Sequence, residues 1–300
     1  MENDQWDVII LGTGPAGLQA AIHAARRKVS VLVLGRPYKS SLYRARIENY
    51  CCLSGVNGET LLTEGKKQAE KSGAAFLDED VVGISKEESG FIVRSESGKQ
   101  WRSRAIIFAM GISRNKLNIP GEKELQGHGV SYCVDCDANF FRDAPVAVIG
   151  CESAAVSGAL TLMFYTDEVH LVCETIEVSD DLAQKIRDST VNLHEGKKAK
   201  EIFGKKEVEG LLLEDGTRLD VKGVFIESGA KGAIELVADF GVVLDTESMK
   251  YIETNKKQET NVPGVYAAGD ICGPPWQVAK AVGEGCVAGL EAASYAKKFK

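Results

Sequence analysis

The sequence predicts an α/β fold made of two similar parallel-sheet units, on three observations. An apolar run, Val8-Ile9-Ile10-Leu11, leads through Gly12-Thr13-Gly14-Pro15-Ala16-Gly17 into an alanine-rich helical stretch, Leu18 to Ala25, and a second apolar run, Val29 to Leu34. The same order returns at Val146-Ala147-Val148-Ile149, with Gly150 opening the turn, a helix over Ala154 to Phe164 and a strand Val169-His170-Leu171-Val172. A last strand, loop and helix run from Val262 to Ala293. Continuous apolar runs of four or so residues are the mark of strands buried on both faces of a parallel sheet. Strand, glycine turn, helix, strand is the βαβ unit. The expected architecture is therefore two Rossmann-like dinucleotide-binding domains in a three-layer ββα arrangement. Between the two openings, Phe76 to Val93 and Trp101 to Met110 alternate like strands, with turn signals at Ser89-Gly90 and Ser97-Gly98.

Composition narrows the function. The chain has 300 residues, 44% hydrophobic and 26% charged, which suffices for one large or two modest cores. A net charge of −7 speaks against nonspecific nucleic-acid binding. No apolar run reaches the roughly 18 residues of a membrane span. The polar, acidic start from Met1 to Asp7 does not read as a secretion signal, and a cytoplasmic location is expected. Eight cysteines do not form a secreted disulfide framework, and two of them form a Cys-x-x-Cys.

The first glycine loop sits between strand and helix, as a dinucleotide fingerprint requires. Gly12 permits the tight turn, Gly14 lets the backbone approach a pyrophosphate, and Gly17 lets helix and strand pack closely. The helix N-terminus offers free N–H groups and a positive dipole end. Gly35 stands where an acid usually grips the ribose, which leaves the nucleotide undefined. The second loop, Gly150-Cys151-Glu152-Ser153-Ala154-Ala155, is broken. Glu152 puts bulk and negative charge where a second glycine would admit a pyrophosphate, a repulsion of several kcal/mol at about 4 Å and intermediate dielectric. Cys173-Glu174-Thr175, with Glu177 beyond, stands where an Arg would grip a 2′-phosphate. Nicotinamide nucleotide binding is expected to be lost.

Cys133-Val134-Asp135-Cys136, followed by Asp137, can close a small disulfide ring and exchange with a partner disulfide, the acid moving the proton. Zinc would need a second ligand pair, and Cys51-Cys52 and the four histidines (His23, His128, His170, His194) show no suitable spacing. No metal is expected. Finally, Thr260 to Asp270 is a strand ending in Gly269-Asp270, with a helix after Trp276-Gln277-Val278-Ala279. The Asp can accept a hydrogen bond from a sugar-like hydroxyl, and the helix start can face the pyrimidine edge of a flavin. Ile106 to Gly111 is the companion strand and turn.

On the first glycine loop, Glu48-Asn49-Tyr50, Ala109-Met110-Gly111, Cys133 to Asp137, Gly269-Asp270 and Gln277, nearly the whole chain resembles the low-molecular-weight thioredoxin reductases, a two-domain FAD/NAD(P)-binding class. The resemblance implies an FAD domain of residues 1–114 with 243–300, and a redox-disulfide domain of 115–242. It implies FAD contacts at Gly12, Gly14, Pro15, Ala16, Gly17, Gly35, Arg36, Ser41, Leu42, Asn49, Val82, Ala109, Met110, Gly111, Gly269, Asp270, Trp276, Gln277, Val278 and Ala279. Asn49 and Gln277 would lie near the isoalloxazine and Asp270 near the ribityl chain. Cys133 and Cys136 would be the redox disulfide, Cys133 attacking the partner and Cys136 facing the flavin, with Asp137 the proton donor. A homodimer and a thioredoxin substrate are implied too.

The departures are Glu152, Cys173-Glu174-Thr175 in place of His-Arg-Arg, Trp276 in place of an Arg, and Lys39-Ser40-Ser41-Leu42 in the flavin loop. With them the chain resembles the pyridine-nucleotide-independent branch, the ferredoxin-dependent flavin thioredoxin reductases. The alternatives are NADH, NADPH held by other groups, a deazaflavin donor, or a non-catalytic flavin redox sensor. Ferredoxins are acidic, so a basic cluster is needed on this acidic chain. Arg36, Lys39, Arg44 and Arg46 are expected to supply it. Trp276 reads either as a cover for the flavin or as a dimer or core aromatic. The other six cysteines read as incidental thiols.

Overall fold

Val8 to Leu11 are all buried, and so are Val31 to Leu34, because both runs lie inside a sheet covered on each face. The structure, a computed structural model, describes residues 4–43, 45–53, 55–112, 116–132, 134–227, 233–238, 241–246 and 250–299. Contacts divide the chain into two units, Met1–Ser95 with Lys99–Ile112 and Gly232–Lys300, and Glu96–Gly98 with Ser113–Lys231.

In the first unit, β1 (Gln5–Leu11), α1 (Pro15–Arg26) and β2 (Val31–Leu34) form the βαβ opening. The helix begins at Pro15, three residues ahead of the expected Leu18, because a proline in the first turn has its φ preset and needs no N–H partner. α2 (Gly58–Ser72) follows, then β3 (Ala74–Leu77), β4 (Val81–Glu87), β5 (Gly90–Ser95) and β6 (Gln100–Phe108). The stretch from Phe76 to Val93 is thus parts of three strands, broken at 78–80 and 88–89. β6 is paired on both edges: Gln100 to Ser103 pair antiparallel with β5, while Arg102, Ser103 and Ala105 to Phe108 pair parallel with β1. The sheet order is β3-β2-β1-β6-β5-β4.

In the second unit come β7 (Val130–Ser131), α3 (Val134–Asp137), β8 (Val146–Ile149), α4 (Ser153–Leu162), β9 (Val169–Cys173), α5 (Asp180–Arg187) and β10 (Asn192–Glu195). A three-stranded antiparallel sheet, β11 (Ala199–Phe203), β12 (Gly210–Leu213) and β13 (Arg218–Leu219), is followed by β14 (Gly223–Ile226). The parallel sheet runs β10-β9-β8-β14-β7. α4 stops at Leu162, short of the expected Phe164, which is 87% exposed in the turn beyond. Each unit has a Rossmann-like parallel sheet, which is the expected fold class.

Residues 232–300 group with the first unit. There α6 (Ala233–Ala238) buries Leu236 and Val237 in the same cluster as Val81 and Ile84. β15 (Val265–Ala267) then pairs parallel with β6, and α7 (Val278–Ala296) closes the unit. α7 lies against α1 backbone to backbone: a Cβ at Gly285 would stand 2.2 Å from the Ala16 carbonyl oxygen, and one at Gly289 2.4 Å from that of Ala20. Among the described residues no helix is long and apolar enough to cross a membrane.

One buried carboxylate organises the entry to the second unit. Glu122, 3% exposed, accepts the backbone N–H groups of Leu117, Asn118 and Ile119 and the Tyr132 hydroxyl. Burial and then Glu122 push the Tyr132 hydroxyl pKa well above its ordinary value. Replacing Glu122 by Ala strands four donors. The expected cost is about 3–5 kcal/mol, read as an earlier denaturant transition of the second unit. Glu122→Gln, which keeps an acceptor, costs less.

Candidate functional site

The parallel strands of the first unit end level. Gly12 N–H donates to the Leu34 carbonyl at 2.8 Å, Ala109 N–H to Leu11 at 2.8 Å and Ala268 N–H to Phe108 at 2.9 Å. This brings Gly12–Gly17, Ala109–Gly111 and Ala268–Asp270 to one carboxyl edge, where open α/β sheets bind ligands. The three loop glycines differ in what they touch. A Cβ at Gly12 would stand 2.3 Å from the Ala109 carbonyl oxygen, and one at Gly17 1.9 Å from that of Gly12. A Cβ at Gly14 would meet only Ser40 Oγ, at 3.5 Å. Gly12 and Gly17 are therefore required by packing, and the space beside Gly14 is open. Gly14 caps α1 with no side chain and no acid lies in its first turn, so the helix presents bare N–H groups there.

The opposite wall is clamped by groups that local sequence patterns did not single out. Gly269 has φ +88°, its N–H donates to Glu284 Oε2 at 2.8 Å, and its carbonyl accepts from Lys280 Nζ at 2.8 Å. Lys280 and Glu284 are themselves paired at 3.0 Å, one helical turn apart. This clamp sets the tight turn Asp270–Cys272. Burial, then Glu284, pushes the Cys272 thiol up to about 12, which keeps it an inert thiol. Asn49 Nδ2 donates to Gln277 Oε1 at 2.7 Å, so two residues 228 apart in the chain meet at the start of α7. Val278 and Val82 are half-buried, while Ala279 and Ser41 are exposed. Trp276 is 45% exposed, which excludes the core reading.

The basic cluster is mostly turned inward. Asp80, buried at 4% exposure, pairs with Arg36 at 2.5 Å and Lys39 at 3.1 Å. A buried carboxylate needs cationic partners, and these two are committed to it. Neither is a free docking charge, and Arg36 is held by Asp80 at the place expected for a cofactor contact. Arg46 is exposed beside Glu48 at 3.2 Å, and Arg44 lies outside the described residues.

In the second unit, Cys133 and the Cys136 side chain lie outside the described residues, and their surroundings define the site. Val134, at the start of α3, is buried, and its N–H donates to Glu227 Oε1 at 2.8 Å. At the other end, Asp137 Oδ2 accepts the Ser131 hydroxyl at 2.6 Å. Glu227 is 5% exposed and directly follows β14. Its signal in the sequence was an acid ending an otherwise apolar strand. Glu152 is the N-cap residue of α4, and Gly150 is needed for packing, since a Cβ there would stand 2.0 Å from the Glu227 carbonyl oxygen. Glu174 pairs with Lys198 at 3.0 Å, which offsets part of its charge. Burial, then Cys151, pushes the Cys173 thiol up to about 12. His170 Nδ1 and His194 Nε2 meet at 3.0 Å across β9 and β10, a pairing that their spacing in the sequence did not reveal.

The comparisons with known proteins agree with this geometry. The family model described as pyridine nucleotide-disulphide oxidoreductase matches residues 6–285. A thioredoxin reductase of Listeria monocytogenes is 32% identical, over all of this chain and 96% of its own length. The crystal structure of the atypical thioredoxin reductase TRi from Desulfovibrio vulgaris Hildenborough superposes with a TM-score of 0.83 at 32% identity, covering 98% of each chain. A ferredoxin-flavin thioredoxin reductase from Clostridium acetobutylicum does so at 0.69 and 31%, again covering 98% of each. The cofactor of this family is FAD. The open side of Gly14, the bare N-termini of α1 and α7 and the fixed Gly269–Asp270 turn fit it. The chain belongs to the pyridine nucleotide-disulphide oxidoreductase family, as a flavoprotein disulfide oxidoreductase of the thioredoxin reductase group.

Proposed function

We propose that this protein reduces thioredoxin through a Cys133–Cys136 dithiol and draws its electrons from reduced ferredoxin rather than from NADPH. One observation supports the choice of donor: a glutamate, Glu152, stands at the N-cap position of α4, where a pyrophosphate would meet that helix, whereas glycine, Gly14, stands at the N-cap position of α1. A carboxylate at that point repels a phosphate and occupies its approach. Glu174 opposes a 2′-phosphate at the end of β9, although Lys198 softens the effect.

FAD, when bound, links a one-electron donor to a two-electron dithiol. Gly14 and the first turn of α1 would hold its pyrophosphate, Asp270 the ribityl chain, and Asn49 with Gln277 the isoalloxazine edge. Trp276 would cover the flavin where relatives admit nicotinamide. In the exchange step, the Cys133 thiolate attacks the thioredoxin disulfide, forming a mixed disulfide and releasing one thioredoxin thiolate. The Cys136 thiolate then attacks Cys133 Sγ, closing the Cys133–Cys136 disulfide and releasing the second thiolate. Two electrons leave the enzyme, and two protons complete the thioredoxin dithiol. Asp137 supplies a proton, and the Ser131 hydroxyl holds its carboxylate in place. Glu227 fixes the first N–H of α3, next to Cys133. The same reading carries a homodimer and a cytoplasmic location, where thiols stay reduced.

The test is anaerobic thioredoxin reduction supplied with either reduced ferredoxin or NADPH. Turnover is expected with ferredoxin and at least about 100-fold less with NADPH, the scale of about 3 kcal/mol of lost nucleotide binding. Equal turnover with NADPH would overturn the donor and leave the dithiol assignment standing.

A further inference from the structure

Two exposed cysteines in the first unit are used by none of the chemistry above. Cys51 and Cys52 occupy the centre of a tight turn, closed by Leu53 N–H donating to the Tyr50 carbonyl at 3.0 Å. The Tyr50–Leu53 bridge and the Gly55 N–H to Ile47 carbonyl bond, at 2.9 Å, hold the turn on both sides. Cys52 adopts φ +68°, a left-handed conformation that favours glycine. A cysteine held there keeps its Sγ 3.6 Å from that of Cys51.

That separation has a chemical meaning. A disulfide needs its sulfurs about 2.05 Å apart, so the pair would have to close by about 1.5 Å. Two thiolates sharing one centre at the ordinary metal–sulfur length of about 2.3 Å stand at 3.6 Å when the angle is about 100°. The turn already presents that bite. Ligand number then selects the ion. Among the described residues no group of three or more His, Cys, Asp and Glu could hold a metal, so a tetrahedral ion would lack half its shell. A trivalent pyramidal metalloid needs only two protein sulfurs, because its third position carries its own oxygen or carbon.

We propose that Cys51 and Cys52 form a vicinal-dithiol site for trivalent arsenicals and chemically similar thiophilic metalloids. The step is condensation without redox change: an arsenic centre bearing two hydroxyls forms two As–S bonds, loses both As–O bonds, and releases two waters that carry the two thiol protons. Exposure of both thiols gives the ligand direct access.

The experiment uses FAD-loaded protein carrying Cys133→Ser and Cys136→Ser, which removes the proposed catalytic dithiol as a competing site. The protein is reduced with a phosphine, desalted anaerobically and titrated with phenylarsine oxide. Mass measurement is expected to show one adduct per chain, stable to a monothiol and released by a dithiol. Adding Cys51→Ser should lower the bound fraction at least tenfold at limiting arsenical. Cys52→Gly, which suits the left-handed backbone and keeps the turn folded, should do the same. Zinc alone should bind at least a hundredfold more weakly than the arsenical. No adduct, an adduct that survives both substitutions, or tighter binding of zinc would overturn the proposal. Thioredoxin reduction by the chain with Cys133 and Cys136 intact is measured separately, so failure of the catalytic reading leaves this result interpretable.

Discussion

On the proposed dithiol mechanism, Cys133→Ser and Cys136→Ser are each expected to abolish thioredoxin reduction, by about 10⁴-fold or more, while FAD stays bound and the donor still bleaches it. The size follows from the chemistry: one thiol can start a mixed disulfide but cannot release it, and the other has no way to reach the substrate. The two variants separate the roles. With Cys136 as the flavin-side thiol, reduced Cys133→Ser should keep the long-wavelength thiolate–flavin absorbance and Cys136→Ser should lose it. A Cys136→Ser protein that kept the band would reverse the two roles. The residues around the pair are already fixed, Val134 by Glu227 and Asp137 by Ser131, so serine should not unfold the short helix.

Gly17→Ala should do the largest structural damage in the first unit. The added Cβ would fall 1.9 Å from the Gly12 carbonyl oxygen, and the obstruction is backbone, which cannot rotate away. α1 must move off the glycine turn, against the Gly285 and Gly289 crossing with α7 that allows almost no displacement. The expected cost is about 3 kcal/mol or more, with FAD lost on purification. Gly14→Ala is the matched control. Its Cβ has room, with Ser40 Oγ at 3.5 Å the nearest atom, so the apoprotein should melt like the parent. FAD affinity should nevertheless fall at least about tenfold, or about 1.4 kcal/mol, because the methyl group takes the space left for the pyrophosphate. Absorbance of retained flavin and thermal melts of the apoproteins separate the two effects.

Local pattern made much of this legible. Val8 to Leu11 and Val146 to Ile149 are short, continuous and apolar, and each leads into a glycine turn, so both βαβ openings were readable from order alone. Element ends were less so. Pro15 pulled the first helix forward, and Leu162 ended the second before Phe164. What escaped entirely was polar pairing to buried carboxylates. Arg36 and Lys39 looked like surface charges until Asp80, more than 40 positions away, was found buried between them. Glu227 reaches Val134 across 93 positions, and Glu122 collects three backbone donors from a segment with no periodic signal. Buried carboxylates of this kind are identified by their partners, and a linear sequence does not state partners. Of the expected docking charges, the described part of the segment leaves Arg46 exposed.

The central claim, that Glu152 and Glu174 deny the second unit a nicotinamide nucleotide, is tested most directly by a single-turnover flavin titration under anaerobic conditions. NADPH and NADH are added in excess to the oxidised holoenzyme, followed by photoreduced ferredoxin, with the flavin absorbance recorded throughout. The predicted result is no bleaching by either nucleotide within minutes and full bleaching by ferredoxin. Rapid bleaching by NADPH would contradict the account, since it would mean that the loop at Glu152 binds the nucleotide despite its charge.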